Sequence, residues 1–207
     1  MQRRQFVTGC EDVGADAASP YRACDHQATR RNVVALGAFA AVGFASGTAR
    51  ALADPADERP REGDQLVAID AAELVGLSPS DVPASPILAW PMEPGSNLVR
   101  NGSRLNKIVL VRLDPATLVT PTRERSAGGV VAYSAICPHA GCEVNGWVDE
   151  QRIFECPCHN SRYDPSNAAA IIEGPTTRAL AALPLKITDG KLTVAGPFSG
   201  RLGIAPS

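Results

Sequence analysis

Apolar residues in this chain come in short runs broken by Pro, Gly, Asn and Asp, not at helical intervals over long stretches. The runs at 66–69, 87–90, 107–113 and 130–136 have the length of strands. Two further runs, 147–148 and 152–155, flank a polar turn. Near the chain end, 184–188 and 191–194 are joined by Asp189-Gly190, which suits a type I′ turn and predicts a hairpin. The stretch 114–129 holds Pro, Thr, Arg and Gly and is expected to be a surface loop. Residues 71–77 are expected to form a helical turn, and no long amphipathic helix is predicted after residue 54. Many short strands separated by turn signals predict an all-β, antiparallel sandwich or barrel.

The first 53 residues break this pattern. Arg30-Arg31 precede an apolar run, 33–45, and Ala51-Leu52-Ala53 follows as an A-x-A cleavage site before Asp54. This reads as a twin-arginine signal segment, which exports a folded protein to the periplasm. The competing reading is a retained anchor. From Val33 to Ala49 there are 17 residues, short of the roughly 20 needed to span a bilayer comfortably. Residues 54–64 are charged and Pro-rich, as in a linker. The expected organisation is therefore a signal segment or anchor over 1–53, a linker over 54–64 and a folded domain over 65–207.

Composition narrows the function classes. A formal net charge of −2 over 207 residues gives no electrostatic case for nucleic acid. There is no basic stripe with interleaved aromatics, no glycine-rich phosphate loop and no internal repeat. Six Cys are present, and four of them fall in two short clusters. The other two, Cys10 and Cys24, lie in the N-terminal segment.

Those clusters are Cys137-Pro138-His139-Ala140-Gly141-Cys142 and Cys156-Pro157-Cys158-His159-Asn160-Ser161. Each offers a Cys and a His two or three residues apart, and each carries one further Cys. Two thiolates and two imidazoles from two loops suit a [2Fe–2S] centre in which two His replace two Cys on one iron. Neutral imidazole brings less negative charge than thiolate, so it favours the reduced iron and raises the potential. A tetrahedral zinc site uses the same ligand types, usually as C-x2-4-C with H-x3-5-H; the interleaved spacing here does not fit that pattern.

The two clusters resemble the two ligand boxes of the Rieske iron–sulfur family, and the resemblance covers most of the chain after residue 60. It implies Cys137, His139, Cys156 and His159 as the ligands of a Rieske [2Fe–2S] cluster. It implies Cys142–Cys158 as a disulfide joining the two loops. Ser161 and Tyr163 match family positions that hydrogen-bond a bridging sulfide and a ligand sulfur and so raise the potential. The implied fold is antiparallel, with a small cluster-binding subdomain at about residues 135–178 of this chain.

Within that family the three His of the chain exclude one setting. His139 and His159 are taken as ligands and His26 lies in the leader, so no His remains for the mononuclear iron of a ring-hydroxylating oxygenase. The paired Cys and the export signal argue against a cytoplasmic oxygenase ferredoxin. Two high-potential settings compete. Val131-Ala132-Tyr133-Ser134 and the chain end Gly200-Arg201-Leu202-Gly203 are similar to the small subunit of arsenite-oxidase-type enzymes, and Ala140 stands where the bc type usually has a bulky Leu. Pro138, Gly174-Pro175-Thr176-Thr177 and the nine residues between Asp164 and Gly174 depart from the quinol-oxidising cytochrome bc type. The implied partners are a larger catalytic subunit containing molybdenum, or a bc-type complex, together with a c-type cytochrome or copper protein. The remaining alternative is a free-standing periplasmic redox module, and in every case no substrate chemistry is expected from this chain alone.

Overall fold

The computed structural model describes residues 54–204. The signal segment or anchor, the twin arginines, Cys10, Cys24 and His26 lie outside the described residues. Within them no helix is long and apolar enough to cross a membrane.

Among the described residues, eleven strands form two antiparallel sheets. The larger contains β1 (Gln65–Ala68), β2 (Ile87–Glu93), β3 (Leu98–Val99), β4 (Ile108–Arg112), β5 (Val130–Ser134), β10 (Leu185–Thr188) and β11 (Lys191–Val194). Its path runs β10-β11-β1-β2-β4-β5, with β3 paired to β2. The path closes on itself. Ser134 N–H donates to Ala181 O and Leu183 N–H to Ala132 O, so the segment that runs into β10 also pairs with β5. The smaller sheet is the meander β6 (Gly146–Val148), β7 (Ile153–Cys156), β8 (Ser161–Asp164) and β9 (Ala170–Glu173), inserted between β5 and β10.

Strands β4 and β5 show why the insert sits where it does. Their side chains are buried on both faces, apart from the terminal Arg112. Alternate residues must therefore meet two different cores. Ile108, Leu110, Val130 and Ala132 join Leu66, Leu183, Leu185, Leu192 and Val194 inside the larger sheet. Val109, Val111, Val131 and Tyr133 join Phe154, Tyr163, Val144 and Leu180 between the two sheets. The cysteines Cys137 and Cys156 belong to this second core.

The predicted strand runs are all strands, with ends shifted by one or two residues, and β2 continues through Pro91 to Glu93. Asp189 and Gly190 both have positive φ, 51° and 76°, as a type I′ hairpin requires. Three expectations need correction. Residues 71–77 form no helical turn. The stretch 114–129 is not a plain loop: it holds the 3-10 turn Pro115–Thr117 and α1 (Thr120–Arg125), and it buries Leu118. Pro at the start of each turn and the Asp114 carboxylate accepting Ala116 N–H explain why so polar a sequence coils.

The third correction concerns 54–64, which does not trail away from the domain. Arg100 is 1% exposed, and its guanidinium donates to both carboxylate oxygens of Asp64, to Glu58 and to Pro55 O. Buried Asn106 donates to Glu58 O and accepts from Arg59. Asp64 and Glu58 thus tie 54–64 to the domain, while Asp54, Asp57, Arg59, Arg61 and Glu62 stay exposed.

Candidate metal centre

The two ligand loops are built at strand ends. The first connects β5 to β6, and the second is the four-residue turn between β7 and β8. Backbone bonds shape the first loop: Cys137 N–H donates to Cys142 O at 2.8 Å, and Gly141 N–H donates to Cys137 O at 3.0 Å. Gly141 has φ 71°, a conformation that costs Gly little and other residues more. In the second, Cys156 pairs with Ser161 across the hairpin and Asn160 N–H closes on Cys156 O at 2.9 Å. Asn160 takes the left-handed conformation, φ 54°, which Asn tolerates.

These turns set the expected ligands as two pairs, Cys137 beside Cys156 and His139 beside His159. Cys137 and Cys156 are free thiols, each 1% exposed. His139 is half-buried and His159 exposed. Their rings lie 4.6 Å apart, centroid to centroid, at 87°. The Cys142–Cys158 disulfide ties the loops, with Cα atoms 6.5 Å apart. The Sγ atoms of Cys142, Cys156 and Cys158 lie within 4.8 Å of one another. That trio is not a metal site, because a disulfide offers no thiolate; the cysteines left to ligate are Cys137 and Cys156.

Two orphaned atoms test whether a [2Fe–2S] cluster fits. His139 Nδ1 and Ser161 Oγ are buried and have no hydrogen-bond partner. A buried unpartnered polar group costs about 1–3 kcal/mol, so each needs an explanation. An iron accepting the imidazole nitrogen and a cluster sulfur accepting the hydroxyl proton would satisfy both. The thiols point the same way. Burial, reinforced by the neighbouring Cys137, pushes the Cys156 thiol up. A bound metal ion supplies the positive charge that deprotonates such a thiol. The residues present therefore fit the cluster.

Around the ligands the expected tuning residues are in reach. Tyr163 is fully buried, and its hydroxyl lies 3.2 Å from Cys137 Sγ. Burial, and then the Cys137 sulfur beside it, push the Tyr163 phenol well above its ordinary value, so it stays a donor. Ser161, the first residue of β8, is 1% exposed.

Other supporting residues were not legible in the sequence. Gly174, φ 99°, packs directly on Ser161: a Cβ there would fall on Ser161 Cα, well inside van der Waals distance. The guanidinium of Arg104 donates to Gly141 O. Lys107 pairs with Glu143, next to Cys142. Arg178 donates to Arg201 O and to Gly203 O, holding the chain end beside the first loop. Each of these contacts joins residues far apart in the chain, and no local pattern announces them.

Comparison with known proteins agrees with the geometry. The family model described as the Rieske [2Fe-2S] domain matches residues 98–184. A Haloferax mediterranei protein named as a respiratory nitrate reductase Rieske subunit is 41% identical over 81 residues, covering 39% of this chain and 36% of that protein. The cytochrome bc1 complex Rieske iron-sulfur subunit of Streptomyces lividans is 33% identical over 134 residues, covering 62% of this chain and 79% of that protein. The chain thus spans barely a third of the Haloferax relative's length and most of the Streptomyces lividans one. Among solved structures, the soluble domain of Rieske protein II from Sulfolobus acidocaldarius aligns with a TM-score of 0.35 at 20% identity, over 49% of this chain and 68% of that one. Because it shares a third of its aligned residues with most of the Streptomyces lividans subunit, the chain belongs to the Rieske [2Fe–2S] family, and a [2Fe–2S] cluster is its cofactor.

Proposed function

We propose that this chain is the high-potential electron-transfer subunit of a larger periplasmic oxidoreductase complex of arsenite-oxidase type. In this reading Cys137 and Cys156 hold one iron of the cluster, and His139 and His159 hold the other. The cluster supplies a one-electron couple at a potential above that of all-Cys clusters. The observation that carries the reading is the pair of buried thiols beside a pair of His rings, one of them exposed.

The chain's own residues do the rest. Tyr163 donates toward the Cys137 sulfur and Ser161 presents an unspent hydroxyl, and both favour added negative charge. The half-buried His139 and exposed His159 make the shortest way to the surface. Tyr163, Phe154 and Val144 belong to the same buried cluster as the two thiols and keep that side dry. Electrons would come from a molybdenum-containing catalytic subunit and leave to a c-type cytochrome or copper protein.

Support for the arsenite-oxidase type comes from Ala140 and from the 165–173 stretch. Ala140 is exposed and small, leaving no bulky cover of the kind that quinol docking uses. The longer stretch forms β9, which runs directly into Gly174-Pro175 beside Ser161. The export reading rests on Arg30-Arg31, the apolar run after them and the disulfide, which suits an oxidising compartment. A second reading, the Rieske subunit of a bc-type complex, is favoured by the long match to the Streptomyces lividans subunit.

The test is to purify the native complex through a tag on this chain and follow its EPR signal. The expected result is a rhombic signal that appears when arsenite is added, in a complex that contains molybdenum. Reduction by quinol and not by arsenite would replace the first reading with the second.

A further inference from the structure

Beside the first ligand loop lies a groove of about 460 Å³, lined by Ser103, Arg104, Leu105, Ile136, Gly141 and the chain-end residues 202–204. Its floor is apolar, made by Leu105, Ile136, Leu202 and Ile204. Ile204 is 57% exposed, and its side chain lies over Gly141, where an added Cβ would meet it at 3.4 Å. Gly141 is two residues past His139, so this apolar shelf is continuous with the loop that carries a ligand.

The rim is basic. Arg104 reaches Gly141 O, and Arg178 reaches Gly203 O from the other end. Among the described residues the seven ion pairs involve Arg61, Arg100, Lys107, Arg162 and Lys186, and neither Arg104 nor Arg178 has a carboxylate within ion-pair distance. A guanidinium keeps its charge at any working pH and carries five donors, of which a carbonyl uses one or two. The groove lining holds no acidic residue. An apolar floor rimmed by unanswered positive charge fits a surface of the opposite design.

We infer that this groove seats the redox partner, a protein that presents an apolar side chain flanked by carboxylates. This rests on the relay reading above and adds the side of approach: the partner docks over the first loop and the chain end. Electrostatic attraction would then steer encounter, which raises association rates by about 10- to 1,000-fold and is lost as salt is added.

The experiment uses the full-length, cluster-loaded, reduced protein in stopped flow against two probes, an acidic and a basic c-type cytochrome. Electron-transfer rates are read across ionic strength. The wild-type rate with the acidic cytochrome is expected to fall with salt and, at low salt, to exceed that with the basic one about tenfold or more. Arg104→Glu and Ile204→Glu should each lower it about tenfold. The control Lys186→Glu makes the same charge change as Arg104→Glu, on β10 outside the groove, and should leave the rate within about twofold. EPR and the midpoint potential confirm an unaltered cluster in each variant. Where Arg104→Glu loosens the loop, Ile204→Glu, which removes no hydrogen bond, decides. Equal losses in groove and control variants, or preference for the basic cytochrome, would overturn the inference and leave the relay intact. A wild type that reduces neither cytochrome would overturn both.

Discussion

Tyr163 shows how one buried side chain sets a property of the site. Its hydroxyl has the Cys137 sulfur at 3.2 Å and is kept protonated by burial. A ligand sulfur gains negative charge on reduction, so the hydrogen bond strengthens in the reduced state and favours it. Tyr163→Phe should therefore keep the cluster and lower its potential. A bond worth about 1 kcal/mol more in one state corresponds to roughly 40 mV, at about 59 mV per tenfold for one electron. Redox titration followed by EPR reads the shift; an unchanged potential would remove the tuning role. The Tyr163 and Ser161 positions were legible from their register with His159. Their environment was not, because the burial of Tyr163 depends on Phe154 and Leu180, from β7 and the segment before β10.

At the scale of elements, two hairpin-like loops must be held side by side. Strand pairing fixes each loop separately: β7 with β8 frames the second, while the first hangs between β5 and β6. The covalent tie between them is Cys142–Cys158, at a sequence separation of 16. Closing a loop of this length in the unfolded chain is worth about 3 kcal/mol. Cys142→Ser or Cys158→Ser should keep the ligand set and lower the stability of the cluster-loaded protein by about that amount. Denaturant melts monitored by the visible absorbance of the cluster check this, and an unchanged midpoint would deny the disulfide a structural role. The spacing of the six residues in each cluster already pointed to two loops. That β9 would run on into Gly174 and press it on Ser161 was not readable, since 165–173 carries no strong strand pattern.

On the scale of the whole molecule, the larger sheet is closed by 181–183 and anchored at its start by a buried ion pair. Arg100 and Asp64 are 1% and 3% exposed, and Arg100 Nε lies 2.7 Å from Asp64. Removing one partner of such a pair leaves a buried charge without compensation, at about 3–5 kcal/mol. Arg100→Met should lower the melting temperature by about 10 °C, at 2–4 °C per kcal/mol for a chain of this size. Calorimetry reads the loss, and hydrogen exchange should show 54–64 opening with it. A variant that melts like the wild type would show that 54–64 is held by other contacts.

By itself the sequence determined the class of the fold, the strands, the type I′ hairpin and the two Cys- and His-bearing clusters that supply the candidate site. All of these depend on short-range chemistry: alternation, turn residues and ligand spacing act within a few positions. Tertiary structure decided what depends on distant residues meeting. It placed the insert against the outer face of β4 and β5, docked 54–64 through Arg100, and brought Arg104, Arg178 and Ile204 around the first loop. Burial on both faces of a strand and an ion pair across 36 residues are set by closure of the sheet, and no local pattern encodes them.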